Sequence, residues 1–315
     1  MFVLAALSYL ITVVAVGLFI VRTRQLIAIY KKQQPDPTRS GDRSARLTNM
    51  LKEVLGHTKM LNFTGTGIAH WFVMVGFGAL FGTLITAYGQ LVKPDFALPI
   101  IGHFVGYELF AEVIAALTGI GIVTLIGIRL ATRFWHKGRT SRFEGSYQGR
   151  AYYVEATILA VVFCVIALRG LEGALAQEES WNWHYAISWP AVAFFSSWSI
   201  DSIENAIVVV AALKIFVSML WFIVIASNLT MGVAWHRFLA FFNIYFKRNI
   251  NQPALGALPE MLSKGKPVNF EDPAEDDVFG LGTRGDISWK GLLDMTSCTE
   301  CGRCQSQCPA WHTDK

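Results

Sequence analysis

Four of the five cysteines fall within eleven residues, at Cys298, Cys301, Cys304 and Cys308, and Pro309 follows them to complete C-x-x-C-x-x-C-x-x-x-C-P. Thiolates at two-residue intervals let one loop wrap three irons of a cube, while a fourth cysteine set beside a proline points away. This is the spacing of [4Fe–4S] ligation, and in two-cluster proteins the fourth cysteine serves the other cluster. A disulfide framework fits poorly with thiols on the cytoplasmic side. Zinc sites usually draw on two separated pairs or on histidines. Four cysteines cannot complete two cubes, and Lys315 stands seven residues after Cys308. The expectation is therefore that partner cysteines come from another chain or, as we favour, from a continuation of this one. The fifth cysteine, Cys164, lies in an apolar run and reads as a small buried residue.

Two of the seven histidines stand at membrane depth. His70 lies about one turn inside one apolar run, and His236 lies at the end of another that runs the opposite way, which puts both in the same leaflet. Two imidazoles from different helices at one depth can ligate a haem iron axially. The alternative is a pair of interfacial histidines with local hydrogen bonds. His57, His103, His136 and His184 read as surface residues. Glu108 and Glu112, at i and i+4, fall near the outer boundary with Arg169 and Lys214. They either snorkel and pair or line a quinone pocket or proton path.

The elements that must position these groups follow from composition. Of 315 residues, 53% are hydrophobic and only 16% charged, with a mean hydropathy of +0.41; an ordinary soluble enzyme and a disordered chain are both excluded. Residues 1–246 carry 19 basic and 13 acidic side chains, and residues 247–315 carry 8 and 10. The net charge of +4 therefore gives no basic face for nucleic acid, and no nucleic-acid partner is expected.

Five runs, roughly 3–21, 66–91, 107–132, 153–175 and 206–235, approach or exceed the about 20 helical residues that cross a bilayer core. Each is apolar all round, so helices rather than barrel strands are expected. The first run has basic residues only after it, beginning at Arg22 and Arg24, which reads as an uncleaved anchor with its N-terminus outside. Nine Lys or Arg in 22–62, and Arg133, Lys137, Arg139, Arg142 and Arg150 after the third run, place those loops inside. The loop 170–205 has none, and its Trp181, Trp183, Trp189 and Trp198 read as an interfacial belt that includes a segment at Ala191–Phe195. Gly78 and Gly82 form a G-x-x-x-G that permits close packing.

The resulting expectation is an all-α membrane protein: a five-helix bundle with its N-terminus outside and its C-terminus cytoplasmic, followed by a linker and the start of a ferredoxin-like [4Fe–4S] domain. The divisions are 1–246, a transmembrane haem-binding part; 247–286, a surface linker with Pro253, Pro259, Gly265, Pro267 and an acidic run from Glu271 to Asp277; and 287–315, the beginning of the cluster domain. Within 286–295 a short helix is expected, capped by Asp286 or Ser288, with Trp289, Leu292 and Leu293 on one face.

The segment VNFEDPAEDDVFG from Val268, then ISWKGLLDMTSCTECGRCQSQCPAWHT, with GIAHW around His70 and HRFLAFFNIYFKR from His236, resembles the membrane-bound iron–sulfur oxidoreductases of actinobacteria related to heterodisulfide reductase. The membrane half is similar to the haem-binding gamma subunit of respiratory nitrate reductase. The resemblance implies an electron-transfer flavoprotein to menaquinone oxidoreductase of the plasma membrane, serving fatty acid beta-oxidation. Electrons would pass from the flavoprotein through iron–sulfur clusters and b-type haem to menaquinone. Cys298, Cys301, Cys304 and Cys308 match cluster ligands, and His70 and His236 match haem ligands. The second histidine pair of the nitrate-reductase subunit is replaced by Leu80 and Ser218, so one haem is expected. The later cysteine-rich domains of the family do not follow within this sequence. From a different class, the competing reading is a haem-free membrane anchor or assembly subunit for a cytoplasmic iron–sulfur protein. A transporter, which would use discontinuous paired helices, has no place for the cysteine motif.

Overall fold

The computed structural model describes residues 2–134, 148–248, 260–263, 266–277, 279–301, 304 and 308–313. His136, Lys137, Arg139 and Arg142 of the expected inner loop, and Pro253, Pro259 and Gly265 of the expected linker, lie outside the described residues. For Arg133 the backbone alone is described. The chain divides into two compact units, one of residues 1–21, 59–228 and 300–315, the other of 22–58 and 229–299.

Helices dominate because the apolar runs contain no polar backbone partner except their own. Among the described residues, four helices are long and apolar enough to cross a membrane: α1 (Phe2–Lys31), α5 (Val105–Phe134), α6 (Gln148–Leu175) and α8 (Ile200–Ser227). A fifth crossing is formed by α3 (Thr64–Ala79) and α4 (Phe81–Gln90) if they are taken as one span, bent by 42° at Leu80. The expected single run over 66–91 is thus a broken helix. The break falls where Gly76, Gly78 and Gly82 lower helix propensity, and Thr83 Oγ1 donates to Leu80 O at 2.6 Å.

In the first unit the core joins α4, α6 and α8 with the early part of α1. Ala15, Ala87, Leu171, Ala211 and Ile215 are among its fully buried members. Close approach of α3 to α5 depends on Gly76: a Cβ there would stand 2.1 Å from Thr118 Oγ1. That hydroxyl donates to Phe72 O at 3.1 Å, an interhelical bond of the kind that holds membrane bundles. Gly78, expected at a packing seam, faces open space, and Gly82 faces the Tyr107 hydroxyl and the Leu98 side chain. The segment expected at 191–195 is α7 (Trp189–Phe195). It buries Val192 against Gly173 of α6 and exposes Phe194. Trp181, Trp183 and Trp198 are exposed around it.

In the second unit, α2 (Arg43–Leu55) and α9 (Gly232–Tyr245) pack together, and α10 (Trp289–Thr296) packs on α9. The expected fifth run reached residue 235, but α8 stops at Ser227 and α9 begins after a break at Asn228–Met231. Asn228 causes the stop by donating its side-chain amide back to Val224 O at 2.7 Å. Residues 22–62 hold α2, where only a basic loop was expected. Its Arg46 is buried and donates to the carbonyls of Thr38, Gly41, Tyr245 and Lys247, closing the C-terminus of α9. Lys247 in turn pairs with Glu53. β1 (Leu262–Ser263) pairs antiparallel with β2 (Lys266–Pro267).

Candidate functional site

The cysteine segment is prepared by α10. Ser288 caps it, accepting from Gly291 N at 3.1 Å, and the turn before it is closed by Asp286, whose carboxyl is held below the usual range by the Thr283 and Gly282 amides. Gln34 makes an isolated parallel bridge to Ser288, donating to Ile287 O and accepting from Trp289 N. Trp289 meets Phe246 edge-on at 4.8 Å, and Asn243 of α9 donates to Asp294 and to Ser297. The chain is therefore tied down at every turn up to the first cysteine.

Cys298 then rests on the start of α9, so tightly that a Cβ on Gly232 would stand 1.9 Å from the Cys298 carbonyl oxygen. Gly232 and His236 are four residues apart, about 6 Å along one helix face. Within the second unit, the backbone of the first cysteine thus packs on α9 one turn away from His236. Glu300 has φ of +54°, an uncommon conformation for a residue other than glycine, and it turns the chain between the first two cysteines.

Cys298 belongs to the second unit and Cys301, Cys304 and Cys308 to the first. Cys298, Cys301 and Cys304 are exposed, Cys308 is half-buried, and none is in a disulfide. Among the described residues, no three His, Cys, Asp or Glu side chains are gathered as a metal site. The short helix α11 (Pro309–His312) follows Cys308, with Pro309 in its first turn. As a donor set, four reduced cysteines at this spacing fit an iron–sulfur cluster.

His70 is half-buried in α3 of the first unit, one turn and a half from Thr64, and His236 is half-buried in α9 of the second. His236 is therefore not at the end of a membrane-crossing helix but in the first turns of a separate short one. Half-buried imidazoles fit a haem iron as donors. His57, expected at the surface, is buried, with Nδ1 at 2.9 Å from Val54 O. His103 is exposed, as expected.

A second polar site lies inside the first unit, where the charged residues expected at the helix ends converge. Arg169 donates to Glu108 at 3.1 Å, Glu112 at 3.3 Å, Glu172 at 2.5 Å and the His184 carbonyl at 2.5 Å. Its guanidinium lies 4.6 Å from the centre of the Tyr185 ring. Burial pushes the Tyr185 phenol above its usual range, against the pull of Arg169. Glu112, fully buried, also accepts from the amides of Ile187 and Ser188 and from the Ser188 hydroxyl. His184 Nδ1 lies 2.5 Å from Glu108.

Lys214 does not snorkel: it is 1% exposed, and its ammonium donates to Thr83 O at 2.8 Å and Thr83 Oγ1 at 2.7 Å, just after the break between α3 and α4. Glu172, Gln90, Tyr107 and Tyr185 complete the site and were not singled out in the sequence. Only Glu172 left a signal, three residues after Arg169 on the same helix face. These groups surround a cavity of about 210 Å³.

No family model matches the chain, and no solved structure matches it. Two curated proteins do. One is named "EtfAB:quinone oxidoreductase", from Syntrophomonas wolfei, 23% identical over 98% of this chain and 41% of its own length. The other is named "Probable iron-sulfur-binding oxidoreductase FadF", from Bacillus subtilis, 23% identical over 99% of this chain and 41% of its own length. The chain spans about two fifths of the length of each. The chain, with helices of membrane-crossing length, is thus similar at low identity to proteins named as oxidoreductases.

Proposed function

We propose that this chain is the membrane and cluster-entry part of an iron–sulfur quinone oxidoreductase. It takes electrons from a cytoplasmic donor, an electron-transfer flavoprotein of fatty acid beta-oxidation, and passes them through [4Fe–4S] chemistry and one b-type haem to menaquinone. Cys298, Cys301, Cys304 and Cys308 are the cluster ligands, and His70 and His236 are the haem-binding residues. The protein is multi-pass in the plasma membrane, with the N-terminus outside and the cluster segment cytoplasmic, as the basic loops favour. Residues 1–246 form the haem-binding part, related to the nitrate-reductase gamma subunit and, with the rest of the chain, to the heterodisulfide-reductase-like enzymes of actinobacteria. Residues 247–286 are the linker, and 287–315 begin the cluster domain.

The observation that carries this reading is the seating of Cys298 on Gly232, one turn from His236 on the same helix. A cluster ligand anchored beside a candidate haem ligand is the arrangement that a short electron step requires. The two curated likenesses support the quinone and iron–sulfur parts independently. When bound, cluster and haem supply one-electron chemistry. The protein's own part is to hold thiolates and imidazoles and to tune them through burial and hydrogen bonding.

The test is haem content. His70→Ala and His236→Ala are each expected to abolish the b-type absorption band while the protein still inserts in the membrane, because neither side chain belongs to the buried core. A full band in both variants overturns the ligand assignment.

A further inference from the structure

We infer that the cavity beside Lys214 is the binding site for the head of a quinone, an inference that rests on the reading above and gives its acceptor a place. The cavity, about 210 Å³, is lined within the first unit by α4, the loop after it, α5, α6, the segment after α6 and α8. That volume is below the usual range of whole-ligand pockets; it suits a planar ring head whose tail lies outside. Phe96 of the loop packs directly on Gly89 of α4, where a Cβ would meet the ring at 2.0 Å.

The polar lining is incomplete in a specific way. Lys214 has three N–H donors, and Thr83 takes two of them, which leaves one toward the cavity. Gln90 is 1% exposed and donates its amide to Glu172 at 2.6 Å, while its carbonyl oxygen is buried without a hydrogen-bond partner. The Tyr107 hydroxyl is likewise buried without a partner. Orphaned buried polar atoms are rare and costly. Here the two residues that carry them, Gln90 and Tyr107, line one cavity together with Lys214.

A quinone matches this set in both oxidation states. Its ring oxygens accept from the Lys214 ammonium and the Tyr107 hydroxyl. After reduction its hydroxyls donate to the Gln90 carbonyl and to Tyr107. The step balances as quinone plus two electrons plus two protons giving the quinol. The two electrons would come, one at a time, from the cluster and haem that the thiolates and imidazoles hold when loaded. The two protons enter at the two ring oxygens, one from the Lys214 ammonium and one from solvent water, which also returns the proton to Lys214. A fixed anion or cation fits less well, because carboxylates and cations alternate around the cavity.

The experiment is photolabelling of the full chain in lipid nanodiscs with an azido-1,4-naphthoquinone, with menadione as competitor and peptide mapping of the label. It needs neither cluster nor haem. Saturable label is expected on α4, the start of α5, or α6. Tyr107→Phe and Gln90→Leu are each expected to weaken labelling about five- to tenfold, the loss of one hydrogen bond. Tyr107→Phe removes a hydroxyl with no partner in the empty protein, so its thermal stability stays unchanged, which separates a binding role from a structural one. Label on other segments, or equal labelling of both variants, in a protein that still reduces quinone, overturns this site and leaves the proposed function standing. Absence of saturable label anywhere overturns the quinone reading and this site with it.

Discussion

Arg169→Met is expected to destabilise the protein by about 3–5 kcal/mol, because removing one partner of a buried ion pair leaves the other charge uncompensated. Here three partners are left. Glu108, Glu112 and Glu172 converge on the one guanidinium, and Glu108 and Glu112 are almost completely inaccessible. The same arginine ties α6 to the His184 carbonyl and to the Tyr185 ring, so the segment after α6 should loosen with it. The measurement is thermal or denaturant unfolding in detergent, with a midpoint on the order of 10 °C lower. Arg169→Lys should recover part of the loss, since an ammonium keeps the charge and lacks the planar fork. A variant Arg169→Met as stable as the parent would show that the cluster is not a structural tie.

The second large effect is expected at the cysteines. Cys304→Ser, in anaerobically purified protein, should lose nearly all iron and acid-labile sulfide, because thiolate is the ligand that iron–sulfur clusters use. Helical content should be retained, for Cys304 is exposed and takes no part in the buried core. Cys164→Ser provides the contrast: that residue is 1% exposed within α6, and its loss should leave iron and sulfide unchanged. A Gly232→Val variant should lower cluster content without removing any ligand, since any side chain there collides with the Cys298 carbonyl. Iron and sulfide retained in Cys304→Ser would remove the cluster assignment.

The long apolar helices were legible in the sequence, since a long run without charges leaves the backbone few alternatives to a helix. What periodicity and hydropathy did not reveal were interruptions inside those runs. Residues 66–91 and 206–235 are continuous in hydropathy, yet the first bends at Leu80 and the second stops at Asn228, each through a short side-chain bond to a backbone carbonyl. The second interruption moved His236 into a separate helix. The ends of the short helix before the cysteines were nearly right because a cap has a local cause, and Ser288 supplies it. The helix α2 was hidden in a loop noted only for its charge.

The charged groups show the same division. That Arg169 would meet Glu108 and Glu112 was one of two open readings, and the ion pairs bear it out. That Lys214 would reach the interface was not, because the nearest oxygens, those of Thr83, became available only through the broken helix. The cavity depends on residues from four helices and a loop, Gln90 and Tyr107 among them. No spacing along one chain could have assembled them.

The most direct test of the redox relay is the dithionite-reduced minus oxidised visible spectrum of the purified protein, with haem, iron and acid-labile sulfide determined on the same sample. The account predicts a sharp b-type band at about one haem per chain together with iron and sulfide. Folded protein, expressed with haem supplied, that shows no such band would contradict the relay and leave the membrane helices as an anchor for an iron–sulfur protein.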